Sequence, residues 1–570
     1  FARCLISLSD GGEDATVVRE FDLPSRDWVK DGFNFPKGKQ DISLLDRDTA
    51  LVSREWGPGT MTQSGYAFVV KSLRRGQPLS AAVEIYRGKP TDVGVSPLVM
   101  HDADGNRVAL IIRNVDFYNS EIFLITPDGL KKLILPAKSS IQGFVDNTLI
   151  FTLQEDWTFQ GETYKSGSLM GVSPDLLVQR PAGQVVVTNA EPLIFAPGPR
   201  ESIEQVAITA HRVVAAVYDN VRGRIYAFEN RGEWGWPRET LPVPDNSSAG
   251  IAAASDLDDS IYYSVEGFLD QPRLYAASTA GPPQVPGAGR GQLPATLVKT
   301  LPARFNAATH VVEQFEATSS DGTKVPYFVV RPRGMAFDGS TPTVLYAYGG
   351  FQSSELPSYS GSVGKLWLEQ GGVWVIANIR GGGEFGPAWH QAGLKTNRQL
   401  IYDDFAAGAR DLIARKITSP RRLGIEGGSN GGLLMGVEFN QHPELWRAVV
   451  IQVPLLDMMR FDKIGAGASW VGEYGSPSDP VEGAFLRSIS PYQNLRSGVD
   501  YPEPFFVTAT SDDRVTPVHA RKMAARMAVM GLPYLFYENT DGGHSASANL
   551  QERARRVSLE FTYLTRKLVD

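Results

Sequence analysis

The sequence predicts two unlike halves, an all-β first half and an α/β second half, and three observations carry that expectation. From residue 1 to about 305, short β-type runs alternate with Asp, Gly, Asn and Pro, without a long amphipathic helix. Beyond that point, continuous apolar runs alternate with helical patterns, as a buried parallel sheet requires. The 570 residues also exceed the roughly 250–300 that one core usually organises, so two large domains are expected, 1–305 and 306–570.

In the first half, Arg3 to Leu8, Thr49 to Val52, Tyr66 to Val70 and Glu121 to Ile125 are each of strand length. A phrase recurs in which an acidic turn precedes a strand, as in Asp146-Asn147-Thr148-Leu149-Ile150-Phe151, or a strand reads Arg224-Ile225-Tyr226-Ala227-Phe228. Ser260 to Tyr263 and Arg273 to Ala276 repeat it. Small sheets repeated every 40–50 residues or so bury their faces only by stacking on one another, which predicts a β-propeller of roughly six blades. A two-sheet β-sandwich is the competing all-β arrangement. The Gly- and Pro-rich stretch 281–289 marks a loop late in the last blade or close to the boundary.

Composition narrows the function classes. Hydrophobic residues at 42% and charged residues at 21% are ordinary for a globular chain. A formal net charge of -7 without a Lys/Arg stripe argues against nucleic acid or an anionic membrane as partner. No apolar run approaches the ~20 residues needed to span a bilayer, so a soluble protein is expected. Cys4 is the only cysteine, which excludes an internal disulfide and Cys-based metal sites and suggests a buried structural thiol. A cytoplasmic setting is favoured, with periplasmic or secreted ones left open. The first residue is Phe1, without an initiator Met or a signal peptide, and an upstream segment is expected to be missing.

The second half opens with two strands flanking the hairpin turn Asp321-Gly322. Val344 to Tyr346, Val373 to Ala377, Leu423 to Ile425, Ala448 to Val453, Phe505 to Thr508 and Tyr534 to Tyr537 then supply the buried strands, with helical patterns over Asp404 to Lys416 and Val518 to Met530. Within this frame, Gly427-Gly428-Ser429-Asn430-Gly431 fits G-x-S-x-G, a serine on a sharp turn from strand to helix. Gly427 and Gly431 remove β-carbons that would collide there. The helix that follows aims N–H groups and a positive dipole end at the serine, where an oxyanion could sit. A glycine-rich turn without chemistry is the plain alternative, and the surroundings decide against it.

In an α/β-hydrolase layout the chain order is Ser, acid, His. Two histidines qualify. His519 lies inside the start of a helix, whereas His544 lies in the loop Asp541-Gly542-Gly543-His544-Ser545 after the last strand, and His544 is the expected base. The loop Ser511-Asp512-Asp513-Arg514-Val515 offers two carboxylates. Asp512 is the expected acid, leaving Asp513 to pair with an Arg or cap a helix. Such a Ser429-Asp512-His544 set performs acyl transfer. No metal or other cofactor is expected, since the seven histidines are scattered and H-E-x-x-H is absent.

The stretches Tyr346-Ala347-Tyr348-Gly349-Gly350-Phe351, Asn378 to Gly386, Gly427 to Gly432 and Ser511 to Pro517, in that order, resemble the prolyl oligopeptidase family of serine peptidases. The resemblance implies a propeller followed by a hydrolase domain. The family pattern is roughly seven blades, so a truncated propeller is expected here. It implies that the Tyr348 hydroxyl and the Asn430 N–H bind the oxyanion, and that Trp470 is the aromatic floor under a substrate proline ring. Phe351, Tyr474 and Val515 would line the same pocket, and Arg514 would hold a substrate carbonyl unless Asp512 or Asp513 engages it. A pyrrolidine without an N–H suits an apolar slot with an aromatic face. Arg380 and Asp403-Asp404 read as structural. The segment Lys463 to Ser469 is smaller and more glycine-rich than the family pattern, which predicts a less strict proline preference.

The expected activity is therefore endo-oligopeptidase cleavage of short peptides after proline, with the propeller excluding folded proteins. An exopeptidase or a relative of broader or basic specificity on the same scaffold is the alternative enzyme; no paired glutamates suited to clamp a free amino terminus stand out in the first half. A catalytically inert binding protein is the third reading, opposed by the intact Ser429, Asp512 and His544. Oligomeric state is open.

Overall fold

The computed structural model describes residues 2–180, 190–280 and 291–569. The Gly- and Pro-rich loop expected at 281–289 lies outside the described residues. Among the described residues, the stretch 3–300 forms six four-stranded antiparallel sheets in sequence, with one extra two-stranded ribbon, Trp157–Phe159 and Glu162–Tyr164. The sheets begin at Arg3, Asp41, Gly94, Ser139, Glu201 and Ser248. The expected strands are present within a few residues of their boundaries; the segment read as Tyr66 to Val70 forms its strand later, at Val69–Arg74.

The inner strands of the second to fifth sheets read as nearly unbroken apolar runs because each of these sheets lies between two others. Side chains alternate across a strand, so Leu110 packs with Phe144 and Leu149 of the fourth sheet while its neighbour Ile111 packs with Leu51 and Val70 of the second. Likewise Val213 faces Val145 and Ile150 of the fourth sheet, and Val214 faces Ile261 and Val265 of the sixth. Val18 and Phe35 of the first sheet meet Ala50 and Val52 of the second. Every successive pair thus shares a core, and the repeats stack as small sheets rather than as the two large sheets of a sandwich. Cys4, expected to be buried, is only half-buried in the strand Arg3–Ser9.

The second half is an eight-stranded sheet: β1 (His310–Thr318), β2 (Lys324–Pro332), β3 (Thr343–Tyr346), β4 (Val373–Ala377), β5 (Leu423–Gly428), β6 (Ala448–Gln452), β7 (Pro504–Ala509) and β8 (Leu535–Asn539). Its order is β1-β2-β4-β3-β5-β6-β7-β8. β1 and β2 are the antiparallel hairpin around Asp321-Gly322, β2 pairs antiparallel with β4, and the remaining pairs are parallel. Helices α1 (Gln399–Ala414), α2 (Asn430–Gln441) and α3 (Val518–Val529) cover one face through Phe405, Leu433 and Met523. Helix α4 (Leu550–Leu568) covers the other through Phe561 and Leu564. No helix among the described residues is long and apolar enough to cross a membrane.

The ionic link anticipated near Arg380 ties the sheet to α1. Arg380 donates to Asp404 at 2.6 and 2.9 Å and to Asp321 at 2.5 Å, with Asp404 fully buried.

Sheet stacking also dictates a glycine. A β-carbon on Gly143, at a bulge in the fourth sheet, would stand 2.2 Å from Cγ1 of Ile208 in the fifth. Gly143→Ala should lower the melting temperature, at an overpacking cost of about 1–3 kcal/mol. The double variant Gly143→Ala/Ile208→Ala should be less destabilised than the sum of the single changes; strict additivity in thermal unfolding would show that these sheets do not meet there.

Candidate active site

β5 runs into α2 through one residue, Ser429, whose φ of 58° and ψ of −115° lie where a non-glycine residue is strained. The neighbourhood holds it. The Ser429 N–H donates to the Gln452 carbonyl at 2.9 Å, and its carbonyl accepts from the Leu433 N–H at 3.1 Å. A β-carbon on Gly427 would stand 2.6 Å from the Gly431 carbonyl oxygen, and one on Gly431 would stand 3.0 Å from that of Ala347. The glycines are therefore required by close backbone approach.

The structure brings Ser429, His544 and Asp512 together across three loops. His544 Nε2 lies 3.2 Å from Ser429 Oγ, and Nδ1 lies 2.8 Å from Asp512 Oδ2. Asp512 is buried, and its Oδ1 accepts the N–H groups of Arg514 at 3.0 Å and Val515 at 2.9 Å. The carboxylate is thereby aimed at the imidazole. Asp513 points away and takes Lys39 at 3.6 Å and the Asp14 N–H at 3.3 Å, so its partner is a lysine of the first sheet region rather than an arginine. His519 is buried in α3, where its Nδ1 accepts the N–H groups of Leu456 and Asp457, each at 3.1 Å. It is a structural acceptor.

Asn430 is the first residue of α2, so its N–H has no intrahelical acceptor. Its side chain donates to the Tyr348 carbonyl at 2.6 Å and accepts from Tyr474 at 3.0 Å and from Arg398. Burial pushes the Tyr348 phenol up, partly offset by its hydrogen bond with Ser429, so the hydroxyl stays a donor at neutral pH.

These groups open onto a cavity of about 860 Å³ between the two halves. The second half contributes Phe351, Trp470, Tyr474, Arg514 and Val515 to its wall, and the first half contributes Asp14, Lys39, Tyr66 and Phe117. The Phe351 ring meets Trp470 edge-on at 6.5 Å and Tyr474 at 5.6 Å. The glycines ahead of Trp470 have a packing cause: a β-carbon on Gly467 would fall 1.7 Å from the Phe461 carbonyl oxygen, and one on Gly465 2.5 Å from that of Arg514. Arg514 is engaged by neither Asp512 nor Asp513 through its guanidinium; it pairs with Asp14 at 2.8 Å.

Sequence reasoning missed the buried polar cluster behind the wall of this pocket. Glu473 is fully buried and accepts from Arg398 at 2.7 Å, from the Phe351 N–H at 3.2 Å, from His390 at 2.8 Å and from Tyr118. Burial alone would raise its pKa; the hydrogen bond to His390 and the Arg398 charge, with Tyr118, hold it at about 2. Arg398 also stacks on the Tyr474 ring, 4.6 Å from its centroid. The one available signal was an acidic residue beside a pocket tyrosine in Gly472-Glu473-Tyr474.

A sequence profile of the prolyl oligopeptidase family matches residues 357–570. An uncharacterized peptidase of Sinorhizobium fredii is 50% identical over 574 residues, covering 100% of this chain and 77% of its own. The chain belongs to the prolyl oligopeptidase family. This peptidase also superposes, with a TM-score of 0.92 and 32% identity, on a solved post-proline cleaving enzyme from Rickettsia typhi, covering 100% of this chain and 82% of that one. A prolyl endopeptidase of Elizabethkingia miricola is 34% identical over 316 residues, which is 55% of this chain and 43% of that one. It is accordingly a serine peptidase.

Burial lowers the His519 pKa from 6.5 to about 4, because a cation there would lose water and both N–H donors. Below pH 6.5 the unfolded chain takes up this proton before the folded one, so stability falls as pH drops from 6.5 towards 4. His519→Asn keeps an acceptor without that titration. Its melting temperature should fall less than the wild type's over this interval, a difference of up to about 3 kcal/mol; parallel pH profiles would contradict the assignment.

Proposed function

We propose that this peptidase cleaves short peptides on the carboxyl side of proline through an acyl-enzyme on Ser429. The observation that carries the reading is the Ser429–His544–Asp512 line opening onto an aromatic slot of Phe351, Trp470 and Tyr474. In this reading, His544 Nε2 takes the Ser429 proton as Oγ attacks the carbonyl carbon, and Asp512 orients and stabilises the imidazolium. The Asn430 N–H and Tyr348 hydroxyl receive the oxyanion. His544 then protonates the leaving amine, and a water activated by the same imidazole releases the acid. The post-proline specificity of the Rickettsia typhi enzyme and the prolyl endopeptidase activity named for the Elizabethkingia miricola relative support the substrate class. A basic-residue specificity is disfavoured because the slot beside Ser429 is walled by Phe351, Trp470 and Tyr474, and Asp14 on the facing wall is paired with Arg514.

We further infer that the six sheets belong to a propeller that covers the site, with the domain division near 305–306, between the last strand of the sixth sheet at Thr300 and β1 at His310. The cavity walls come from both halves, so substrate enters through the β domain or when the domains part. A cytoplasmic setting accords with the single unpaired Cys4.

One experiment with two arms tests the chemistry. Ser429→Ala should abolish stoichiometric labelling by a fluorophosphonate, and persistent labelling at another serine would overturn the nucleophile. Trp470→Ala should reduce kcat/KM for prolyl substrates more than for alanyl ones, by about 1–3 kcal/mol of lost burial and stacking. Equal losses would assign Trp470 to the fold alone.

Size selection has its own measurement. Peptides of ~10–30 residues should be cleaved while a long unfolded protein carrying the same Xaa-Pro sites is spared. Comparable rates per site would leave the β domain another role.

A further inference from the structure

One loop of the first half reaches beneath the specificity pocket. Residues 115–119 join the strands Arg107–Asn114 and Ser120–Thr126 of the third sheet. Asp116 stiffens the loop: its Oδ1 accepts the N–H groups of Tyr118 and Asn119, each at 2.9 Å, and the Val115 N–H donates to the Asn119 carbonyl at 2.9 Å. The loop therefore presents Phe117 and Tyr118 in a fixed direction. Phe117 meets the Phe351 ring edge-on at 5.2 Å. Tyr118 passes over Gly472, where a β-carbon would lie 3.3 Å from its ring, and its hydroxyl donates to Glu473 Oε2 beside His390, 3.1 Å away.

Glu473 thus has four donors. Three belong to the second half, and Tyr118 alone comes from the first. The carboxylate is withdrawn from water, so each donor it loses is not replaced cheaply. What it holds is specific: Phe351 has a φ of 56°, a conformation that a bulky residue does not adopt unaided, and its N–H is tied to Glu473 Oε1. A shift of Glu473 therefore tilts the ring that lines the slot and meets Trp470 edge-on. We propose that Tyr118 is a positioning residue for the specificity pocket, acting through Glu473 to hold Phe351 in place, so that a side chain of the β domain completes a pocket of the hydrolase half. This inference rests on the pocket reading given above.

The test uses the full chain with Tyr118→Phe, which keeps the ring and removes the hydroxyl, alongside Glu473→Gln and the double variant. The substrates are a peptidyl anilide with proline before the scissile bond, its alanyl counterpart, and a small fluorophosphonate that needs no pocket. Tyr118→Phe should lose about tenfold in kcat/KM on the prolyl anilide, chiefly through KM, with less than twofold change on the alanyl anilide and in labelling rate. In the Glu473→Gln background the same change should cost less than twofold. An unchanged prolyl kcat/KM, equal losses with all three reagents, or additive losses in the double variant would each overturn the proposal. A wild type without preference for proline overturns the pocket reading instead, and the cycle with Glu473→Gln then decides the role of Tyr118 on whichever substrate the wild type prefers.

Discussion

The strained backbone at Ser429 is the constraint on which the rest of the site depends. Positive φ at a serine persists only if its surroundings over-determine it. Here a strand and a helix pull from either side, the Gln452 carbonyl pins the N–H, and two glycines let the backbones of residues 427, 431 and 347 close to distances no β-carbon would permit. That closeness lifts Oγ out of the sheet edge towards His544 and leaves the first N–H of α2 unclaimed. The parallel sheet supplies the rigidity, because β5 is hydrogen-bonded between β3 and β6.

Around that point, the two halves share the task of holding the loops. The acid loop is gripped by the first half through Asp14 on Arg514 and Lys39 on Asp513. The loop of His544 is gripped through the Gly543 N–H on the Gly11 carbonyl at 3.0 Å, and a β-carbon on Gly543 would stand 2.5 Å from the neighbouring Gly12 carbonyl oxygen. The buried Glu473 behind the pocket wall is gripped through Tyr118. Asp512 and His544 lie on loops, and loops are ordered by what packs on them. The first half is thus part of the scaffold that holds these loops.

Much of this was legible in the chain. The change from short alternating runs to continuous apolar runs marked the two architectures, and the stacking of the sheets explains why inner strands of the first half are apolar on both faces: they serve a core on each. The hydrogen-bonded line of Ser429, His544 and Asp512 was legible because the residues expected as acid and base follow the order of strands, and His519 was set aside because it began a helix. The pairing of Arg514 with Asp14 was not legible, since 500 residues separate them. Arg398 and Glu473 were equally hidden: each is an ordinary charged residue by local pattern, and only burial side by side makes them an ion pair behind the pocket wall.

What the sequence determined by itself was local and periodic. It set the elements, the glycines at the elbow, the chain order of the reactive residues and the resemblance to a peptidase family, because backbone sterics and side-chain periodicity act over a few residues. The tertiary structure alone decided which carboxylate faces which cation, that the glycines before Trp470 answer to packing, and that a tyrosine of the first half completes a carboxylate of the second. Those are choices between partners of similar chemistry far apart in the chain, and they are settled by where packing places charges in a medium too dry to leave them unpaired.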